Sequence, residues 1–512
     1  MKEQVQLQVV DSQTLQLLST TAHFFANQQQ PVYLVGGSLR NLLLALPVHD
    51  WDLVSALDTR RQARRLADQL GGFYAPMNEN ASRIIVKQNQ ETTFDLAPLK
   101  GDSLQADLQQ RDFTINALAA PLVDVVTHLT TGQPLHLIDP LHGVADLDKR
   151  LLRAVSETAF RASPQRMLRA VRLAGHYQLS LEEKTRALIL HDAPLLSTVA
   201  REIIHTELLA ILAPKGALQQ LHMLDSLRLL TTLIPEFEEA RGMQQPWPHH
   251  WDVLEHSLQT IEMLEKLTTA LRKGPAAAGL DQQEAQSLKD FAEIQNLLSE
   301  AEEQGLFSLA EMEAPQMKLA TLLHDIGKPS TFEIDEEERV HFYGHPQVGA
   351  NMITTIMQRL GASTVETRFT KLIAAHHMRP GQLGQVEELT SRATRRYFLD
   401  LGKAGIPLTL ISLADHLATL GPQEFSPSWV KHLHVVRQLL TSYIRQRESI
   451  VPPRLLSPQE LMRKLKLEQG PIIGQLLSAI ADAQAEGKVH SKEEALWLAE
   501  EYLQAQPETV ES

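Results

Sequence analysis

Residues 33–54 read YLVGGSLRNLLLALPVHDWDLV. Tyr33–Val35 is a short apolar run, the pattern of a buried strand. The pair Gly36-Gly37 breaks it, and Ser38 stands where a helix N-cap is expected before the periodic stretch Leu39–Leu46. Pro47 closes that helix, and His49–Val54 alternates again at strand period. Within that strand, Asp50 and Asp52 fall on one face and Trp51 on the other. Two carboxylates so close repel each other unless a divalent cation lies between them. Mg²⁺ is the natural choice, bound by one or two carboxylates and substrate phosphate oxygens. The glycines let the backbone approach a triphosphate, and the following helix start offers N–H groups and a positive dipole end. That combination suits nucleotidyl transfer. A third carboxylate is expected on a neighbouring strand, and Asp95 in TTFDLA is the candidate.

The rest of the chain bounds this reading. At 512 residues it exceeds one core and predicts three or four domains. It contains no cysteine, which excludes disulfides, zinc–thiolate sites and cysteine nucleophiles. Any metal must be held by His, Asp, Glu or carbonyl oxygen. The start lacks the apolar core of a signal peptide, and no run of about 18 apolar residues stands out. No membrane span and a cytoplasmic setting are the expectations. The net charge of −14 argues against a chain-wide nucleic-acid surface. Basic residues nevertheless gather in Lys149–Arg172 and Lys431–Lys466, and two such stretches on an acidic chain favour backbone-phosphate binding.

Strand patterns dominate 31–140, and helical periodicity follows to the end. The expected fold is α+β: a head with a small mixed sheet, then all-helical parts. Punctuation by GMQQPWP (242–248) and by Pro422 and Pro427 divides the chain at 1–150, 151–241, 242–420 and 421–512. FEIDEEERVHFYG (332–344) reads as a hairpin around an acidic turn.

The stretch GGSLRNLLLALPVHDWDL resembles the signature of the tRNA nucleotidyltransferase and poly(A) polymerase family in its bacterial, class II form. The likeness continues in DLQQRDFTINALA (107–119), IDPLHGVADLDKRLLRAV (138–155), RMLRAVRLAGHYQLSLEEKT (166–185) and GPIIGQLLSAIADAQAEGKVHSKEEAL (470–496). The resemblance implies a nucleotidyltransferase head followed by helical neck, body and tail, and stepwise addition of CMP or AMP, from CTP and ATP, to a tRNA 3′ hydroxyl. By position, Gly36, Gly37 and Ser38 would hold the triphosphate with Arg40 nearby, and Asp50 and Asp52 would ligate Mg²⁺. Arg111, Asp112 and Asn116 would hold the sugar and position the nucleotide. Arg166 and Arg169 would read the base and contact phosphate, an arginine offering a fixed fork of donors. The chain departs from the family's pattern at Asn41, Ala45, Ala162 and Ser163, where Asp, Gly and a Glu-Asp pair are usual. The last departure bears on C-versus-A selection and admits an A-adding specialist.

A second set of residues resembles the HD phosphohydrolase superfamily. TLLHDIGKPS (321–330) places His324 and Asp325 together on a helix, with His256 upstream and Asp415 downstream. By position, His256, His324, Asp325 and Asp415 would bind one divalent metal. His345 and His376, with His377 as a further candidate, would serve a second ion or phosphate, and Lys328 would meet phosphate as a point charge. His416 and His432 read as core residues. Imidazole and carboxylate together suit a transition metal such as Mn²⁺ or Ni²⁺ better than Mg²⁺, and such an ion can activate water against phosphorus. The alternative function is therefore a metal-dependent phosphohydrolase whose head serves to bind RNA or nucleotide.

Overall fold

The computed structural model describes residues 10–56, 58–87, 91–280, 285–384, 389–421, 427–447 and 454–505. These residues form two compact units, one of residues 1–199 with 226–232 and one of residues 200–225 with 233–512.

The first unit is built on a six-stranded sheet: β1 (Val32–Val35), β2 (Asp50–Ser55), β3 (Phe73–Pro76), β4 (Ser82–Lys87), β5 (Glu91–Pro98) and β6 (Ala119–Pro121), in spatial order β3-β4-β5-β2-β1-β6. β2 and β5 are parallel and every other pairing in this sheet is antiparallel, so the sheet is mixed as expected. The β2–β5 register sets Asp50 opposite Thr93 and Asp52 opposite Asp95. Trp51 and Leu53 point to the other face and are buried. That burial fixes the register, because a slip of one residue would carry the indole to the polar side.

The helix after β1 starts earlier than the sequence suggests. It spans Gly36–Leu43, with Val35 rather than Ser38 at its N-cap. Ser38 lies in its first turn and ties the helix to β2: its hydroxyl donates to the Asp50 carbonyl at 2.9 Å and accepts the Asp52 N–H at 2.7 Å. Gly36 has φ of +68°, and a Cβ there would stand 2.9 Å from the Arg111 Nη1 atom. The positive φ is what favours glycine here.

The second unit is helical apart from the short hairpin Phe332–Ile334/Val340–Phe342, which forms where the sequence predicts it. The loop 242–252 lies within this unit. The Val253–Lys273 helix is capped by Asp252, whose carboxylate accepts the Glu255 N–H at 2.7 Å. It packs on the Gly405–Leu420 helix around a core that includes Phe291, Tyr397 and Trp429. The stretch Ser391–Leu420 has the length and mean hydropathy of a membrane span, but 78% of that window is buried inside the unit. It is two core helices, Ser391–Leu401 and Gly405–Leu420. A separate cluster around Leu461, Leu476 and Ala495 holds together the last three described helices.

One correction concerns the His324-Asp325 pair. The helix Pro315–Leu322 ends before it, and both residues sit on the turns that follow. The turns bring Gly327 against the start of the His345–Arg359 helix, where an added Cβ would lie 2.3 Å from the His345 carbonyl oxygen and 2.5 Å from the Gly349 nitrogen. Gly327→Ala must therefore push His345 away from Asp325. We predict a loss of about 1–3 kcal/mol in chemical denaturation, the range for overpacking. A change within about 0.5 kcal/mol, as for a surface site, would contradict this reading of the turn.

Candidate functional site

In the first unit, two adjoining cavities of about 360 and 560 Å³ border the polar face of β2. Gly37, Asp52, Asp95, Asp112, Asn116 and Arg169 line both. Gly36, Arg111 and Arg166 line the smaller, and Ser38, Arg40 and Asp50 the larger. Every residue singled out in the head by sequence therefore borders one connected region.

The carboxylates there differ in their surroundings. Asp50 is exposed and accepts a hydrogen bond from the Thr93 hydroxyl. Asp52 lies deeper, its Oδ2 3.5 and 3.6 Å from where Cβ atoms on Gly36 and Gly37 would be. Burial, and then the charge of Asp95, push its carboxyl above the ordinary carboxylate range, against the opposing pull of Arg111. Asp95 is clamped by Arg83, whose Nε and Nη2 donate to its two oxygens at 2.7 Å each. The shared face thus builds negative potential at Asp52, which a divalent cation would relieve.

The surrounding cations are held in place. Arg111 pairs with buried Asp107 at 2.9 Å. Asp112 is buried, receives the Phe113 N–H at 2.8 Å and the Asn116 amide at 2.9 Å, and pairs with Arg169 at 3.1 Å. Burial opposes its charge, but Arg169 and Asn116 outweigh that and hold it below the usual range. Arg166 donates to the carbonyls of Gln110 at 2.6 Å and Ala159 at 3.2 Å. Ala162 ends a short helix, Ala159–Ala162, and Ser163 is its C-cap. Sequence reasoning missed Tyr177, whose ring lies 4.2 Å beneath the Arg40 guanidinium and whose hydroxyl donates to Asn41 at 2.9 Å. A lone tyrosine at the end of a helix far along the chain gives no signal of such a contact.

In the second unit, five elements converge on Asp325. The ligand atoms of His256, His324, Asp325 and Asp415 lie within 4.8 Å of one another, and so do those of Asp325, His345 and His377. His256 Nε2 is 2.9 Å from Asp415 and 3.4 Å from Asp325. On the other side of Asp325, His345 and His377 approach its Oδ1 at 3.3 and 3.2 Å. His376, named from sequence beside His345, is half-buried and outside both groups; its neighbour His377 is buried and inside. One residue of helix turns a side chain by about 100°, so only one of two adjacent histidines can face the centre.

The nitrogens are oriented for ligation. The Nδ1 atoms of His324, His345 and His377 lie 2.7–2.8 Å from the backbone carbonyls of Thr321, Phe342 and Ala374. That contact points each Nε2 at the carboxylates, the orientation seen in metal-binding histidines. His324 Nε2 and Asp325 Oδ1 are buried without a hydrogen-bond partner of good geometry. Burial opposes charge on His324, yet Asp325 and Asp415 raise it to about 10. Despite burial, His324, Lys328 and His256 hold Asp325 well below the usual range, and His256 and His324 do the same for Asp415. This pocket demands positive charge. Lys328 supplies part of it, 2.6 Å from Asp325. His432 is a core residue bonded to Ser412 at 3.1 Å, with burial lowering it to about 3.

Comparison with known proteins bears on the family and the fold. The poly(A) polymerase head domain model matches residues 32–105 and 99–153, and the HD domain model matches 253–420. The A-adding tRNA nucleotidyltransferase of Deinococcus radiodurans is 31% identical over 481 residues, covering 93% of this chain and 96% of that one. The CC-adding tRNA nucleotidyltransferase of Thermus thermophilus is 31% identical over 474 residues, covering 90% and 91%. A CCA-adding enzyme solved with ATP superposes with a TM-score of 0.59 at 18% identity, over 96% of each chain, which speaks to the fold. A Thermotoga maritima CCA-adding enzyme complexed with tRNA gives 0.55 at 19% identity, again over 96% of each.

The raised Asp52 carboxyl has a signed consequence. Its folded-state preference for the proton favours the fold below the unfolded value near 3.8 and is lost as pH rises through the folded value. At neutral pH the ionised group therefore opposes folding. Asp52→Asn should raise the thermal midpoint of the metal-free protein at pH 7, the gain vanishing near pH 3, and should abolish stabilisation by added Mg²⁺. A midpoint lowered at pH 7, or Mg²⁺ stabilisation that persists, would contradict it.

Proposed function

Because the chain belongs to the tRNA nucleotidyltransferase family, we propose that its first unit transfers CMP or AMP from CTP or ATP to the 3′ hydroxyl of tRNA without a template. The single observation that carries this is the convergence of the glycine turn, Asp50, Asp52 and the Arg169–Asp112 pair on one connected region of the head. Asp50 and Asp52 are the residues that would hold Mg²⁺, with Asp95 beside them. When bound, the ion supplies electrostatic stabilisation of the attacking and leaving oxygens.

The chain's own residues do the rest. The first-turn N–H groups of Gly37 and Ser38 lie outside the helix's internal ladder and face phosphate. Arg111, held by Asp107, meets the triphosphate as it passes the turn. Asp112 and Asn116 fix the sugar edge, and Arg169, steered by Asp112, presents donors to the base. Arg166 keeps its charge beside neutral carbonyls and remains available to phosphate. The 3′ oxygen forms its bond to the α-phosphorus as the bond to pyrophosphate breaks. We read residues 1–150 as head, 151–241 as neck, 242–420 as the HD region and 421–512 as tail, acting in the cytoplasm on tRNA.

The second unit carries its own reading. We infer that its cluster holds divalent transition metal, Mn²⁺ or Ni²⁺, in two sets that share Asp325, and that it hydrolyses phosphate esters at RNA 3′ ends. Such an ion activates water when bound. Asp325 anchors both sets, and Lys328 meets the phosphate.

The test uses Mg²⁺ and tRNA ending before CCA, and tRNA ending in CC, with CTP alone, ATP alone or both. Addition should fall at least about a hundredfold in Asp50→Ala, the scale on which loss of one transition-state contact acts, and survive His324→Ala. Hydrolysis of a 2′,3′-cyclic phosphate should disappear in His324→Ala and survive Asp50→Ala. Addition that survives Asp50→Ala would overturn the transferase reading, and hydrolysis that survives His324→Ala the second.

A further inference from the structure

Trp247 is 91% exposed, more than any other large apolar side chain among the described residues. It sits in the loop 242–252, and that loop is pinned against the second unit's metal cluster at three points. Gln245 accepts from Lys328 Nζ at 2.7 Å, and Lys328 is the cation paired with Asp325. The His249 ring meets the His256 ring edge-on, with centroids 5.5 Å apart. His250 donates its N–H to the Thr419 carbonyl at 3.0 Å, one helical turn beyond Asp415. The base of the loop is closed as well, by Val253 N–H to the Met243 carbonyl at 3.1 Å and Gly242 N–H to Asp252 at 2.8 Å.

Trp247 is thus two residues from the partner of Lys328 and two from the residue against His256, within roughly 7 Å of chain on each side. Large apolar rings are seldom left this open, and a ring on a pinned loop loses little entropy when something stacks on it. A protein-docking face needs contiguous apolar surface, whereas the chain on either side of this ring, Gln244, Gln245, Pro246, Pro248 and His249, is mostly polar. A flat π surface beside a phosphate-binding cation fits a nucleobase, since every base has a face to stack.

We propose that Trp247 is the base-stacking platform of the second unit's site, so that this site binds a nucleotide in preference to an isolated phosphate. The proposal rests on the metal-and-phosphate reading of the Asp325 cluster. Trp247 is a specificity residue, and Lys328 with the cluster supplies phosphate affinity.

The experiment titrates the full-length, Mn²⁺-loaded protein with 3′-CMP, inorganic phosphate and a 3′-phosphorylated CCCC tetranucleotide, reading tryptophan fluorescence and calorimetric affinity. 3′-CMP should quench fluorescence, and inorganic phosphate should compete with it without quenching. Trp247→Ala should bind 3′-CMP about tenfold more weakly with phosphate affinity unchanged, while Trp247→Phe keeps most of the nucleotide affinity and loses the quench. Tighter binding of the tetranucleotide assigns the platform to RNA ends, and equal binding to free nucleotides; both support it. Unaltered 3′-CMP affinity in Trp247→Ala, with phosphate still competing, overturns the platform and leaves the cluster reading standing. Failure of phosphate to bind or to compete overturns the cluster reading and the platform with it.

Discussion

One strand pairing carries the chemistry of the head. β2 and β5 run parallel inside an otherwise antiparallel sheet, and their register puts Asp50, Asp52 and Asp95 on one face. Three carboxylates on adjacent strands repel one another, and the fold relieves this unevenly. Arg83 clamps Asp95, the Thr93 hydroxyl donates to Asp50, and Asp52 is left against the glycine turn with its carboxyl raised. A site arranged this way is electrostatically unsatisfied without a cation and well placed to gain one. The buried indole of Trp51 on the opposite face keeps the register from slipping, so the local strain is held by the hydrophobic core behind it.

The second unit solves a similar problem with different chemistry. Asp325 is almost completely buried and lies among four imidazoles and Lys328. Burying an isolated carboxylate is costly unless positive charge accompanies it. Here three of the four imidazoles, those of His324, His345 and His377, are tethered through Nδ1 to backbone carbonyls and present Nε2 inward, so most of the histidine cage is oriented before any ion arrives. Gly327 against Gly349 sets the distance between the two halves of the cage. The head suits a hard ion with phosphate oxygens, and the cage suits a softer one.

Much of this was legible in the sequence, for physical reasons. Strand alternation in HDWDLV and the glycine break before it translate directly into the sheet face and the turn. The candidate ligands His256, His324, Asp325, His345 and Asp415 could be named because each sits in a recognisable local motif, and the helical fold brings them together. What failed were details settled only by tertiary contacts. Ser38 looked like a helix cap because serine competes well for that role, yet its hydroxyl is worth more as a tie to β2. His324 and Asp325 lie on turns because Gly327 needs to reach Gly349. His377 rather than His376 faces the cage because the helix Thr364–His376 ends with that rotation. Arg83 on Asp95 and Tyr177 beneath Arg40 are long-range pairs that no local pattern announces.

The central claim is that the acids flanking Trp51 hold the cation that works on a bound nucleoside triphosphate. Anomalous scattering from crystals grown with Mn²⁺ and a non-hydrolysable CTP or ATP analogue tests it most directly. A peak between Asp50 and Asp52, in contact with the analogue's phosphates and next to Gly36–Ser38, is the expected result. An analogue bound at the glycine turn with no peak at those two carboxylates would contradict it.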